Sequence, residues 1–92
     1  MKPLRWSESK DEKLRKERGV GFQDVEKRLA EGEPLEVVVH PNPRKYPIQK
    51  FFVLDMAGYV YKVPFVESSE EIFLKTIIPD RKLRRRHGGG KA

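Results

Sequence analysis

The 92-residue chain contains no cysteine. This removes disulfide scaffolds, thiolate zinc sites, iron–sulfur clusters and thiol nucleophiles together. A secreted domain of this size usually needs such a staple, so a reducing cytoplasm is the expected compartment. Long hydrophobic runs are missing too. The longest, Phe51 to Leu54 and Val63 to Val66, stop at four residues, whereas a membrane span needs about 20. The opening Met1-Lys2-Pro3-Leu4-Arg5-Trp6-Ser7-Glu8 has no apolar stretch behind its positive charges and does not read as a signal peptide. Histidine is scarce: His40 and His87 lie far apart, and no His/Asp/Glu cluster has metal-ligand spacing, so neither metal nor cofactor is expected. Gly19-Val20-Gly21 lacks the third glycine and the preceding strand of a dinucleotide fingerprint and reads as a turn. No nucleophile elbow is present, and Ser68 and Ser69 read as hairpin residues.

What the chain does contain is charge. Charged residues make up 37% and apolar residues another 37%, with five Phe, three Tyr and one Trp. That composition is polar but foldable into one small domain with a thin core. Residues 1–74 carry 13 basic and 13 acidic groups, so the whole formal charge of +6 falls in residues 75–92. Lys75, Arg81, Lys82, Arg84, Arg85, Arg86 and Lys91 face a single acid there, Asp80. Such a segment is either an electrostatic footprint for a polyanion or a solvated basic tail.

The period of the apolar residues divides the chain. A first helix is expected from Glu8 to Arg18, with Ser9 and Glu12 at capping-box spacing and Gly19 as its stop. Its apolar face is poor, Leu14 with Trp6 ahead of it, so it must owe its stability to docking. Phe22, Val25 and Leu29 predict a second helix from Phe22 to Glu31, ended by Gly32. After Pro34 the period becomes that of strands: Leu35–His40, Lys50–Asp55, Tyr59–Glu67 and Glu71–Ile78. In the last, Ile72, Leu74, Thr76 and Ile78 are expected on one face. Asp55-Met56-Ala57-Gly58 and Ser68-Ser69 join the last three strands as an antiparallel meander. Pro64 predicts a bulge or an unpaired edge near it, and Pro79-Asp80 ends the sheet and can cap a short C-terminal helix. The expected fold is α+β: two N-terminal helices on a four-stranded, mainly antiparallel sheet. It forms a single domain over residues 1–87, with 88–92 a flexible tail. Both faces of the later strands are apolar, and only one can pack on the helices. The other suggests a partner surface.

The link His40-Pro41-Asn42-Pro43-Arg44-Lys45-Tyr46-Pro47-Ile48-Gln49 is longer than a hairpin needs. Three prolines stiffen it. It reads either as a proline-rich corner or as a rigid loop presenting His40, Arg44, Lys45 and Tyr46 to a ligand. With Tyr59 and Tyr61, Lys75, Arg81 and Lys82 it makes a basic, aromatic surface suited to phosphates and unpaired bases. Cleaving RNA without a metal needs a base for the 2′-hydroxyl, cations for the charge developing on phosphorus, and an acid for the leaving 5′-oxygen. His40 titrates near neutrality and suits the proton transfers, and a lysine of lowered pKa is the alternative.

Trp6-Ser7-Glu8, Leu14-Arg15-Lys16, Arg18-Gly19-Val20 and Phe22-Gln23-Asp24-Val25 are similar to the opening of the BrnT-like toxins. There an aromatic-Asp-x-x-Lys stretch precedes Asn-x-x-Lys-His-Gly-Val-x-Phe-x-x-Ala. The end, Lys75-Thr76-Ile77-Ile78-Pro79-Asp80-Arg81-Lys82-Leu83-Arg84-Arg85, resembles that family's closing Ile-Ile-Ser-Ala-Arg-Lys-Ala-Thr. The His40–Gln49 block, Tyr59-Val60-Tyr61 and Val63-Pro64-Phe65-Val66-Glu67 resemble a bacterial toxin-like subgroup. The chain departs from the pattern at Asp80, where the family has a small residue, and at Pro41, Pro43 and Pro47. The resemblance implies a RelE-like fold and a metal-independent endoribonuclease that acts on mRNA and inhibits translation. It also implies a cognate antitoxin and contact with operator DNA only through the toxin–antitoxin complex. A homodimer is left open by the sequence. The expected catalytic residues are His40, Lys75, Arg81 and Lys82, of which Arg81-Lys82 and Lys75 carry over by position. Arg44, Lys45, Tyr46, Tyr61, Arg84 and Arg85 are the expected RNA contacts. The alternative is a non-catalytic nucleic-acid- or partner-binding module using the same surface.

Overall fold

A computed structural model of the chain describes residues 2–39, 49–56 and 58–82. The protein is α+β: helices α1 (Glu8–Arg18) and α2 (Phe22–Glu31) cover one face of a mixed sheet. Among the described residues the sheet has six strands, β1 (Leu4–Arg5), β2 (Glu36–Val39), β3 (Gln49–Met56), β4 (Tyr59–Glu67), β5 (Ile72–Leu74) and β6 (Ile78–Pro79). They run in the order β1-β5-β4-β3-β2, with β6 also on β4. No helix among the described residues is long and apolar enough to cross a membrane.

Both helices keep the bounds their periodicity predicts, but α1 is capped two positions earlier than its capping-box spacing suggests. Ser7 has the extended backbone of a cap, and its Oγ accepts the Lys10 N–H at 3.3 Å; Ser9 is already helical. Gly19 ends α1 in the left-handed conformation, φ 75°, donating its N–H to the Arg15 carbonyl, a backbone state that glycine enters without steric cost. Val20 then turns inward. At the start of α2, Asp24 accepts the Gly21 N–H at 2.8 Å, which satisfies one orphan donor of that helix. The Phe22 N–H goes instead to Asp11 of α1, at 2.7 Å. Leu14, Val20, Phe22, Val25 and Leu29 pack on Phe52, Leu54, Tyr61, Val63, Phe65, Ile72 and Leu74, with Trp6 stacked on Phe22 at 5.7 Å.

The sheet differs from the expected four strands at two places. First, Leu4–Arg5 adds a short parallel strand beside β5, in register Leu4 with Ile72 and Arg5 with Phe73. Second, the expected last strand is broken into β5 and β6. Leu74 faces Phe65 and Ile78 faces Lys62, so the chain from Leu74 to Ile78 is one residue longer than the β4 segment opposite it. This is a bulge, and Pro64 explains its position. The Lys75 N–H donates to the Pro64 carbonyl at 2.8 Å, so the backbone of Pro64 faces the β5 side. Pro64 has no N–H to return, and the ladder loosens there. The extra residue reverses the side-chain phase. Ile77 is fully buried in the helix-side core beside Ile72 and Leu74, while Ile78 falls on the opposite face with Lys62. Thr76 and Ile78 therefore do not continue the face of Ile72 and Leu74. After β6, Asp80 Oδ1 accepts the Lys82 N–H at 2.9 Å, a cap on the helical turn that begins at Arg81.

Candidate nucleic-acid interface

Strand parity decides which side chains share the face away from the helices. Tyr61, Val63 and Phe65 take the helix side of β4, so Lys62, Pro64 and Val66 take the other. Their cross-strand partners follow: Phe51 lies opposite Pro64, Val53 opposite Lys62 and Phe73 opposite Val66. The result is a second face on which Val53 and Val60 are buried, 0% and 4% exposed, and on which the half-buried Phe51 and Phe73 carry two ammonium–ring pairs. Lys62 Nζ sits 5.3 Å from the centroid of the Phe51 ring, and Lys75 Nζ sits 5.9 Å from that of Phe73. Arg5 borders Phe73 through the parallel pairing, with Nε 3.5 Å from Glu71 Oε1. Among the described residues neither Lys62 nor Lys75 has a carboxylate within ion-pair distance. A cation held by a ring is worth about 0.5–1 kcal/mol at an exposed site. That is weak enough for the ammonium to turn to a phosphate.

The residues expected from sequence divide three ways. Lys75 lies on this face, at the bulge. Arg81 and Lys82 are exposed just past β6, where the Asp80 N–H bonds the Val60 carbonyl. Pro64 and Val60, which mark the two positions, are about 13 Å apart along the strand. The three cations therefore do not converge on one point. Lys62, the partner of Ile78, lies on β4 between the two positions. Tyr61 is a correction: it is 5% exposed and points into the helix-side core, so its ring offers no free face to a base. Burial pushes its phenol above the usual tyrosine range, the neighbouring Tyr59 adds to this, and Arg18 partly offsets it. Tyr59 is exposed and meets Tyr61 edge-on at 6.4 Å, on that same helix side. His40, Arg44, Lys45, Tyr46, Arg84 and Arg85 lie outside the described residues.

Phe51, Phe73, Lys62 and Arg5 were missed by sequence reasoning. A signal was present in the adjacent Phe51-Phe52, because one of two consecutive strand aromatics must leave the core face. Elsewhere, a cleft of about 340 Å³ between α2 and the β3–β4 turn is lined by charges of both signs, including Asp24, Lys27 and Glu31. The Arg28 guanidinium donates to Asp55 there at 2.8 and 3.0 Å, so its charges largely compensate one another. No group of three or more His, Asp or Glu side chains comes together to hold a metal among the described residues. No protein-family profile, curated protein or solved structure matches the chain.

Proposed function

We propose that the protein binds single-stranded RNA across the second face of its sheet and cleaves it without a metal. It would act as a RelE-like translation-inhibiting toxin of the BrnT kind, restrained by an antitoxin. The observation that supports this best is the pairing of Lys62 with Phe51 and Lys75 with Phe73 on one face. Rings stack on bases of any identity, and cations meet the phosphates between them. In the cleavage the 2′-oxygen attacks the adjacent phosphorus and the bond to the 5′-oxygen breaks, leaving a 2′,3′-cyclic phosphate and a 5′-hydroxyl. A base takes the 2′-hydroxyl proton, an acid protonates the leaving 5′-oxygen, and Lys75, Arg81 and Lys82 stabilise the charge in between. His40 is assigned the proton transfers by the sequence pattern alone.

The spread of the cations favours a second reading, a binding module that holds successive phosphates and cuts none. Incubation of the purified protein with single-stranded RNA in EDTA separates the two. New 2′,3′-cyclic ends support the enzyme, intact RNA with measurable binding supports the module, and absence of binding rejects both. For the enzyme, Arg81→Ala should lower turnover roughly 10²–10³-fold with RNA affinity nearly intact, as expected for a cation acting in the transition state.

A further inference from the structure

Of the large hydrophobic side chains that the described residues leave exposed, Leu35, Val37 and Val39 belong to one short segment and Tyr59 is the other. Val37 is 51% and Val39 60% exposed. Both lie on the helix side of the sheet, since Val37 is the partner of the buried Phe52, yet neither is covered. Their strand, β2, is at the end of the strand order, and among the described residues nothing pairs with its outer side. Edge strands are commonly protected by lysine, proline or very short length. β1, at the opposite edge, has two residues and carries Arg5, whereas β2 reads Glu-Val-Val-Val.

The backbone of this edge can be assigned as well. Pro64 faces away from β3, so its partner Phe51 faces β2. Val38, the partner of Phe51, therefore spends its N–H and C=O on β3, and those of Val37 and Val39 point outward. An antiparallel copy of the same strand centred on Val38 fits these groups. Val37 of one copy would lie opposite Val39 of the other in a hydrogen-bonded pair, so every outward N–H and C=O of both valines meets its complement. The uncovered isopropyl groups would meet on the helix side, and Val38 would meet Val38 on the other. The geometry points to a second copy of this chain as the occupant of the β2 edge, in a twofold-symmetric dimer whose two sheets become continuous. This assignment does not rest on the RNA reading. Its consequence for that reading is that the two Lys62–Phe51 pairs would lie on the same side of one continuous sheet.

The absence of native cysteine makes the register testable by single substitutions. Across the proposed twofold, the Val38 Cα atoms are about 4.5 Å apart, within disulfide reach, while Val37 to Val37 and Val39 to Val39 are about 8 Å apart and beyond it. Val38→Cys should therefore give a covalent dimer under mild oxidation, and Val37→Cys and Val39→Cys should give little. In sedimentation over a roughly hundredfold range of concentration, the wild type should pass from monomer to dimer by mass action. Val37→Lys, a change at an exposed site, should remain monomeric at every concentration, with the thermal midpoint of the wild type at its lowest, monomeric concentration. A wild type that stays monomeric throughout, equal cross-linking at all three positions, or a dimer unaffected by Val37→Lys would each overturn the proposal. So would amide protection of Val37 and Val39 that appears only when a different protein is added, which would assign the edge to that protein.

Discussion

Asp11 is the only buried charged side chain among the described residues, 6% exposed, and its two oxygens hold the helical pair together. Oδ1 accepts the buried Phe22 N–H at 2.7 Å, and Oδ2 accepts Arg15 Nε at 3.0 Å. The carboxylate thus caps a helix eleven residues further along the chain. Its hydrogen bond and charge hold the Arg15 guanidinium above its usual value. Asp11→Ala would leave the Phe22 donor without a partner, and should cost about 1–3 kcal/mol in urea unfolding. Asp11→Asn keeps an acceptor there and should cost less. Gly21 is constrained by the same group: a Cβ would lie 2.7 Å from Asp11 Oδ1 and 2.8 Å from Arg15 Nε. Its φ of −132° is ordinary, so the requirement is space rather than conformation. Gly21→Ala should destabilise by displacing Asp11, and its cost combined with Asp11→Ala should fall short of the sum. Full additivity in that double-mutant cycle would separate the two residues.

At the scale of elements, the bulge between β5 and β6 has the sharpest consequence. A regular strand would have put Ile78 in the core and Ile77 outside; the extra residue opposite Pro64 exchanges them. Ile77→Ala should then cost about 2–5 kcal/mol, the usual range for emptying a buried isoleucine site, and Ile78→Ala distinctly less. Equal costs in chemical denaturation would remove the assigned phase. A second element-level contact fixes the N-terminal strand. Lys2 Nζ donates to Glu67 Oε2 at 2.7 Å and to the Ser68 carbonyl at 2.8 Å. The Lys2 hydrogen bond, then its charge, holds the Glu67 carboxyl below its usual range, with Lys50 adding a smaller share. Because the folded pKa is depressed, this contribution is present above the ordinary glutamate range and is lost as the pH falls through the lowered value. The difference in melting temperature between wild type and Lys2→Ala should be largest near neutrality and shrink in acid. A difference that grows in acid would contradict the sign.

For the whole molecule, the second sheet face makes a quantitative demand. If Lys62 and Lys75 each neutralise one phosphate of single-stranded RNA, removing both should flatten the plot of log affinity against log salt by about 1.4. Phe51→Ala and Phe73→Ala should each weaken binding by about 1–3 kcal/mol if a base stacks there, with little change in that slope. Circular dichroism of the variants checks that the sheet survives. An unchanged salt slope for the double lysine variant would mean that RNA, if bound, lies elsewhere.

Much of this was legible in one dimension. The bounds of both helices, the Gly19 stop, the β3–β4–β5 meander and the disturbance at Pro64 follow from local period, caps and a missing N–H, each a property of neighbouring residues. Lys75 was found as a cation beside an aromatic strand, but its partner Phe73 and the central Lys62 were not. Alternation separates two faces without saying which is buried. The tertiary structure decided that Tyr61 goes inward and Lys62 outward, because only the set Tyr61-Val63-Phe65 matches the apolar faces of the two helices. It also decided that Ile77 belongs to the core, that Asp11 caps a distant helix, and that Leu4–Arg5 becomes a strand. Each of these depends on a register or a hydrogen bond between residues far apart in the chain, and local period carries no record of either.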